Sequence, residues 1–163
     1  MAHTRTAIET ALRIDILASL DPEVIAARTI RNDTELARLY NLDTTFVVWR
    51  KGIPSGDVGR AIVYTAIASM TSLNQTRLQV FMQLNPMPFN ASLDIDSMFQ
   101  DIFGGTLGGG GAPSRAALAA MLRLFARRAE RLLTTGTGTT LAPGDLVFEG
   151  LVTIEQIGNA LND

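Results

Sequence analysis

The stretch from Ser114 to Leu133, SRAALAAMLRLFARRAERLL, carries the strongest periodic signal in the chain. Leu118, Met121, Leu122, Phe125, Ala129 and Leu132 recur at steps of three and four, the spacing that brings apolar side chains onto one face of an α-helix. Pro113 stands before the first turn, where its missing N–H goes unnoticed, and Gly136 and Gly138 follow as candidate C-terminal caps. The reading is one long helix that buries its apolar face. Its other side carries Arg123, Arg127 and Arg131 at steps of four, with Arg128 beside them, and so predicts a single polar stripe.

Working outward from that helix, the same logic applies to most of the chain. Between residues 6 and 20, Ile8, Ala11, Leu12, Ile16 and Leu20 are helically spaced. Asp21-Pro22-Glu23 opens a second helix, with aspartate as cap and proline at the first helical position, running to about Thr29. Asn32 caps a short helix with Leu36, Leu39 and Tyr40, ending near Asn41. Ser55 to Met70 is apolar around much of its circumference and reads as a central buried helix. Ser72 with Gln75 forms a capping box for a helix that Asn85-Pro86-Met87-Pro88 stops. Asp94 to Phe103 is a short helix with Ile95, Met98, Phe99 and Ile102 inward, and the box Thr153 to Gln156 opens a last one.

Residues 44 to 50 break the pattern. Thr44-Thr-Phe-Val-Val-Trp-Arg50 is β-branched and aromatic, which favours a strand, but a lone strand leaves its backbone unsatisfied and a docked helical turn is the alternative. A short extended piece is expected around Leu146 to Phe148. The fold class expected is therefore mainly α, a single-domain helical bundle over residues 1–163 with long glycine-rich loops and at most a minor β element. Flexible loops are expected near 104–113 and 134–144, where the glycines give the backbone its freedom.

Composition narrows the function. The chain has 163 residues and a formal net charge of -2, long enough for a core and without the strong basic bias of a nucleic-acid-binding domain. It has no cysteine, which excludes disulfides, thiolate catalysis and cysteine-ligated metal centres. Its single histidine, His3, sits at the terminus, so triads and histidine acid–base chemistry have no material. Asp94 with Asp96, or Asp101, is a conceivable carboxylate pair or cation site, for which capping and solvation are the plainer account. The glycine tracts lack the lysine of a phosphate loop and follow helices, unlike a dinucleotide fingerprint. No catalytic, cofactor-binding or metal-binding residue is expected, and no enzyme activity. No membrane partner is expected either, because no apolar run has the length of a signal segment or span.

Two groups remain as interface candidates. The arginines Arg123, Arg127, Arg128 and Arg131 could form a solvated face partly paired to Glu130, or meet acids of a neighbouring subunit or a phosphate backbone. Trp49 with Arg50 could anchor an interface, although core packing of the indole is the plainer reading.

The layout also resembles small virion proteins of tailed bacteriophages. The pieces that carry this likeness are Ile16-Leu17-Ala18 with Leu20-Asp21-Pro22, Asp101-Ile102-Phe103 before a glycine loop, and Arg128-Ala129-Glu130-Arg131-Leu132-Leu133. Gly136-Thr137-Gly138-Thr139, Pro143 and Phe148-Glu149-Gly150 complete them. Among such proteins it looks most like head–tail adaptors, or connectors. The resemblance implies a homo-oligomeric, dodecameric ring on the portal ring, with tail or connector proteins as further partners and non-specific contact with packaged DNA. It implies assembly in the host cytoplasm and residence at the head–tail interface of the virion. A tail-terminator or minor capsid protein is the nearest alternative, and a small helical regulator binding DNA or protein the alternative of another class.

Overall fold

Thr6 starts the first helix, α1 (Ala7–Ala18), through a reciprocal capping box: the Glu9 amide donates to the Thr6 hydroxyl, and the Thr6 amide donates to the Glu9 carboxylate at 2.7 Å. The computed structural model describes residues 4–84, 88–103 and 111–162. It is mainly α, with one two-stranded sheet among the described residues. Packing divides the chain into two compact units, Met1–Val48 with Phe125–Asp163, and Trp49–Leu124.

In the first unit, α2 (Pro22–Thr29) has Asp21 as its cap and Pro22 at its first turn, and α3 (Asp33–Tyr40) is capped by Asn32. Both follow the sequence reading. The turn between them is unusual, since Arg31 has φ 52° at a position normally given to glycine. The amides of Arg31 and Asn32 donate to the carbonyls of Arg28 and Ala27, closing α2 with a left-handed turn. The strain is offset by what Arg31 reaches, for its guanidinium donates to the Leu161 carbonyl and to Asn162 at the end of α10 (Ile154–Leu161). Arg5 and Arg13 converge on the same helix end, on the carbonyls of Asn159, Asn162 and Ala160. Three cations thus meet the negative pole of α10 and its unpaired carbonyls. Arg28 does the same for α1 at the carbonyls of Ile16 and Leu17. The core sealed by these clamps is built from Ile8, Leu12, Ile16, Leu36, Tyr40 and Ile157, where α1 and α3 pack on α10.

The ambiguous segment is a strand, β1 (Asp43–Trp49), and its partner is β2 (Arg123–Arg127). The long helix expected from Ser114 to Leu133 is therefore wrong. It resolves into α8 (Gly111–Met121), β2 and a single turn, α9 (Arg128–Arg131). The reason is backbone satisfaction: Arg128 N–H donates to the Leu42 carbonyl, the Thr44 hydroxyl to that of Ala126 and Arg50 N–H to that of Leu122. A continuous helix would leave β1 without a partner on that edge. Phe125, expected inside, is 60% exposed as a consequence.

The segment 134–144, expected as a flexible joint, covers the other edge of β1. Val47 N–H donates to Gly138 O, Gly144 N–H donates to Val47 O, and Thr135 and Asp145 exchange a bridge. The glycines here are steric necessities. Gly138 has φ +68°, and a Cβ on either Gly138 or Gly144 would collide with the Phe46 ring. Gly136 and Gly138 thus shape this loop and do not cap a long helix. The extended piece expected around Leu146 to Phe148 is not there: the bridging residues are Gly144 and Asp145, and Val147 and Phe148 lie in a bend. Thr153 and Gln156 form the expected box at α10.

The second unit contains α4 (Ser55–Ala61), α5 (Tyr64–Ser69), α6 (Ser72–Leu84), α7 (Leu93–Phe103) and α8. The single buried helix expected from Ser55 to Met70 is broken at Ile62-Val63, both extended, where the Val63 amide donates to the buried Ser114 hydroxyl. Two adjacent β-branched residues make that break cheap. The cap of α6 is Thr71, one residue before the expected Ser72, its hydroxyl accepting from Asn74 N–H. The core gathers Trp49, Ile53, Phe81, Phe89, Phe99 and Leu118, with Phe81 meeting Phe89 and Phe99 edge-to-face at 5.3 and 5.1 Å. Gly104 to Gly110, His3, and Asn85-Pro86-Met87 lie outside the described residues.

Candidate interface formed by the arginine cluster

The helix that would have aligned Arg123, Arg127 and Arg131 does not exist, so the stripe does not exist either, and each arginine finds its own surroundings. Arg123 turns inward. It donates to both carboxylate oxygens of Asp96, at 3.2 and 2.8 Å, and to the Ala119 carbonyl at 2.6 Å. Both side chains are nearly sealed, 13% and 6% exposed, and the guanidinium lies 5.2 Å from the centroid of the Trp49 ring. Trp49 is itself in the core, so its indole offers a partner little surface, and the plainer reading of it holds. Arg50 pairs with Asp57 at 2.9 Å, and Asp57 is shared with Arg60.

Glu130 accounts for Arg127. It is buried and accepts from the Arg127 amide at 2.8 Å, from its guanidinium at 3.1 Å and from the Gly150 amide at 3.0 Å. Arg128 is the hub of a polar network on the first unit. It donates to Asp21 at 2.7 Å, to Ser19 at 3.2 Å and to Asp15 at 3.5 Å, and it stacks 4.7 Å from the Tyr40 ring centroid. The Tyr40 hydroxyl donates to Asp15 at 2.5 Å. The hydrogen bond from Arg128 holds the Asp21 carboxyl below the usual carboxylate range. Burial, then the neighbouring Asp15, pushes the Tyr40 phenol well above its ordinary value.

Arg131 is the exception. It is exposed, its guanidinium stacks 5.6 Å from the Phe46 centroid, and its side chain makes no ion pair or hydrogen bond among the described residues. It opens onto a hollow of about 430 Å³ lined by Asp15, Thr44, Arg128 and Leu132. The structure thus brings Arg128 and Arg131 to one place and sends Arg123 and Arg50 into other ion pairs. Of the carboxylates singled out in the sequence, Asp96 is buried against Arg123, while Asp94 and Asp101 are exposed around a hollow of about 260 Å³ with Ser97 and Arg77. Among the described residues no group of acidic or histidine side chains is placed to hold a metal ion.

The residues that sequence reasoning missed are Arg5, Arg13, Arg28 and Arg31. Each of them donates to carbonyls at a helix end, where a cation also meets the negative pole of the helix. Arg28 alone carried a signal, as a basic residue in the last turn of α2.

What this geometry defines is a mainly α protein with a small sheet and an arginine-centred polar surface. Among the described residues no helix is long and apolar enough to cross a membrane. Comparison with protein-family models, with curated proteins and with solved structures finds no match.

Proposed function

We propose that this chain is a structural subunit of a tailed-bacteriophage virion, a head–tail adaptor that docks on the portal ring and forms a homo-oligomeric ring around the DNA channel. One observation carries the assembly part of this reading. Helix α1 is apolar on two sides: Ile8, Leu12 and Ile16 are buried in the unit's core, while Ile14 and Leu17 on the opposite side are 65% and 51% exposed. An exposed apolar strip on the side of a helix away from its own core is surface suited to cover by a partner. Leu20 follows at 89% exposed. The sequence resemblance supplies the virion context.

The arginines favour protein partners over DNA. Arg50, Arg123, Arg127 and Arg128 are each held by an internal carboxylate, which removes the basic face that a phosphate backbone would need. Native mass spectrometry of the protein alone and with its portal ring tests the proposal. The expected result is portal-dependent addition of a complete ring, even from a monomeric pool. No association under conditions where the portal stays intact would sink the adaptor role.

A further inference from the structure

Two hollows on this molecule are lined by an excess of opposite charge, basic in one and acidic in the other. On the first unit, Arg131 projects an exposed guanidinium whose plane is supported by the Phe46 ring, and Phe46 is held from behind by the backbones of Gly138 and Gly144. A guanidinium resting on a ring has less freedom to lose on docking than an unsupported one, which favours two parallel hydrogen bonds to a carboxylate. On the second unit, Asp94 and Asp101 stand seven residues apart on one side of α7, around a hollow that Ser97, Met98 and Arg77 also line, so that two carboxylates face one guanidinium. Both are exposed, and neither side chain makes an ion pair or hydrogen bond among the described residues.

We propose that Arg131 of one copy docks on the Asp94 and Asp101 hollow of the next copy, a head-to-tail contact between two different surfaces of the same chain. The inference rests on the assembly reading above and names the charge pair that would set its register. Contacts of this kind generate rings or filaments, because each subunit keeps one free surface of each type. A carboxylate fits Arg131 better than a phosphate backbone does. Asp15 lines the same hollow and Arg128 beside it is already committed to Asp21, so the field at Arg131 is that of one cation and not of a basic track.

Charge reversal of the full chain tests this by native mass spectrometry at low and high ammonium acetate. Arg131→Asp and Asp101→Arg should each weaken self-association about tenfold or more, with the wild-type complex the more salt-sensitive. Combining the two reversals in one chain should restore it, whereas pairing Arg131→Asp with a reversal at the exposed Glu155 should not. Unchanged circular dichroism and melting of each variant would show that only the surface was altered. An assembling wild type whose oligomers survive Arg131→Asp would overturn this contact and leave the assembly reading standing. A wild type that stays monomeric both alone and with the portal ring would overturn both. Binding of a random-sequence DNA duplex that Arg131→Asp abolishes would replace the protein carboxylate by phosphate.

Discussion

Asp96 is the residue whose role the chain conceals best, because Asp94, Asp96 and Asp101 are alike as letters. Helical register separates them: Asp96, Phe99 and Phe103 lie at steps of three and four and are all buried, whereas Asp94 and Asp101 face out. A buried carboxylate needs a cation, and Arg123 supplies it. Asp96→Ala should therefore cost about 3 kcal/mol in chemical denaturation, since it leaves a buried guanidinium without its counter-ion. Combining Asp96→Leu with Arg123→Met should recover most of that loss, because two apolar groups leave no charge stranded. The register of Asp96 was thus readable, but its partner was not, since Arg123 is 27 residues away and the expected helix pointed it to solvent.

At the scale of elements, the segment Ser114–Leu133 is where local preference and tertiary demand conflict. Alanine, leucine, methionine and arginine favour helix there, and the periodicity agrees. The chain nonetheless leaves the helix at Leu122, because β1 needs an antiparallel neighbour and a bonded strand edge outweighs a few tenths of a kcal/mol of propensity per residue. A synthetic peptide of residues 114–133 should accordingly show helical circular dichroism across residues 123–127, which isotope-edited infrared spectroscopy can localise. A peptide with no helix in that region would mean that the strand is a local preference after all. The conflict was invisible because β1 and β2 are separated by some 70 positions, and hydrophobic periodicity contains no term for backbone pairing. The caps of α2 and α3 and the box at α10 were legible because they are complete within four residues; the box of Thr6 and Glu9 at α1 has the same span but was not read.

For the molecule as a whole, the arginine network on the first unit sets a pH window. Asp21 has a depressed pKa in the folded protein, so its contribution is present above its ordinary value of 3.8 and disappears as pH falls through the lower folded value. Tyr40 is shifted the other way. Its contribution is present below its ordinary value of 10.0 and is lost as pH rises beyond it, because the unfolded phenol ionises first. Melting temperature should be flat near neutrality and fall at both ends, with Asp21→Asn blunting the acid limb and Tyr40→Phe the alkaline one. By itself the sequence determined the mainly α class, the starts of most helices and part of their buried faces, with Leu20 and Phe125 among the apolar residues that the fold leaves exposed. Each of these follows from interactions among residues a few positions apart. Only the tertiary structure decided that β1 takes β2 and the 134–144 loop as partners, that four of the candidate arginines are spent on internal carboxylates, and that Arg131 is left exposed. Those outcomes depend on which distant groups meet, and a backbone edge or a buried charge is satisfied by whatever the fold brings beside it.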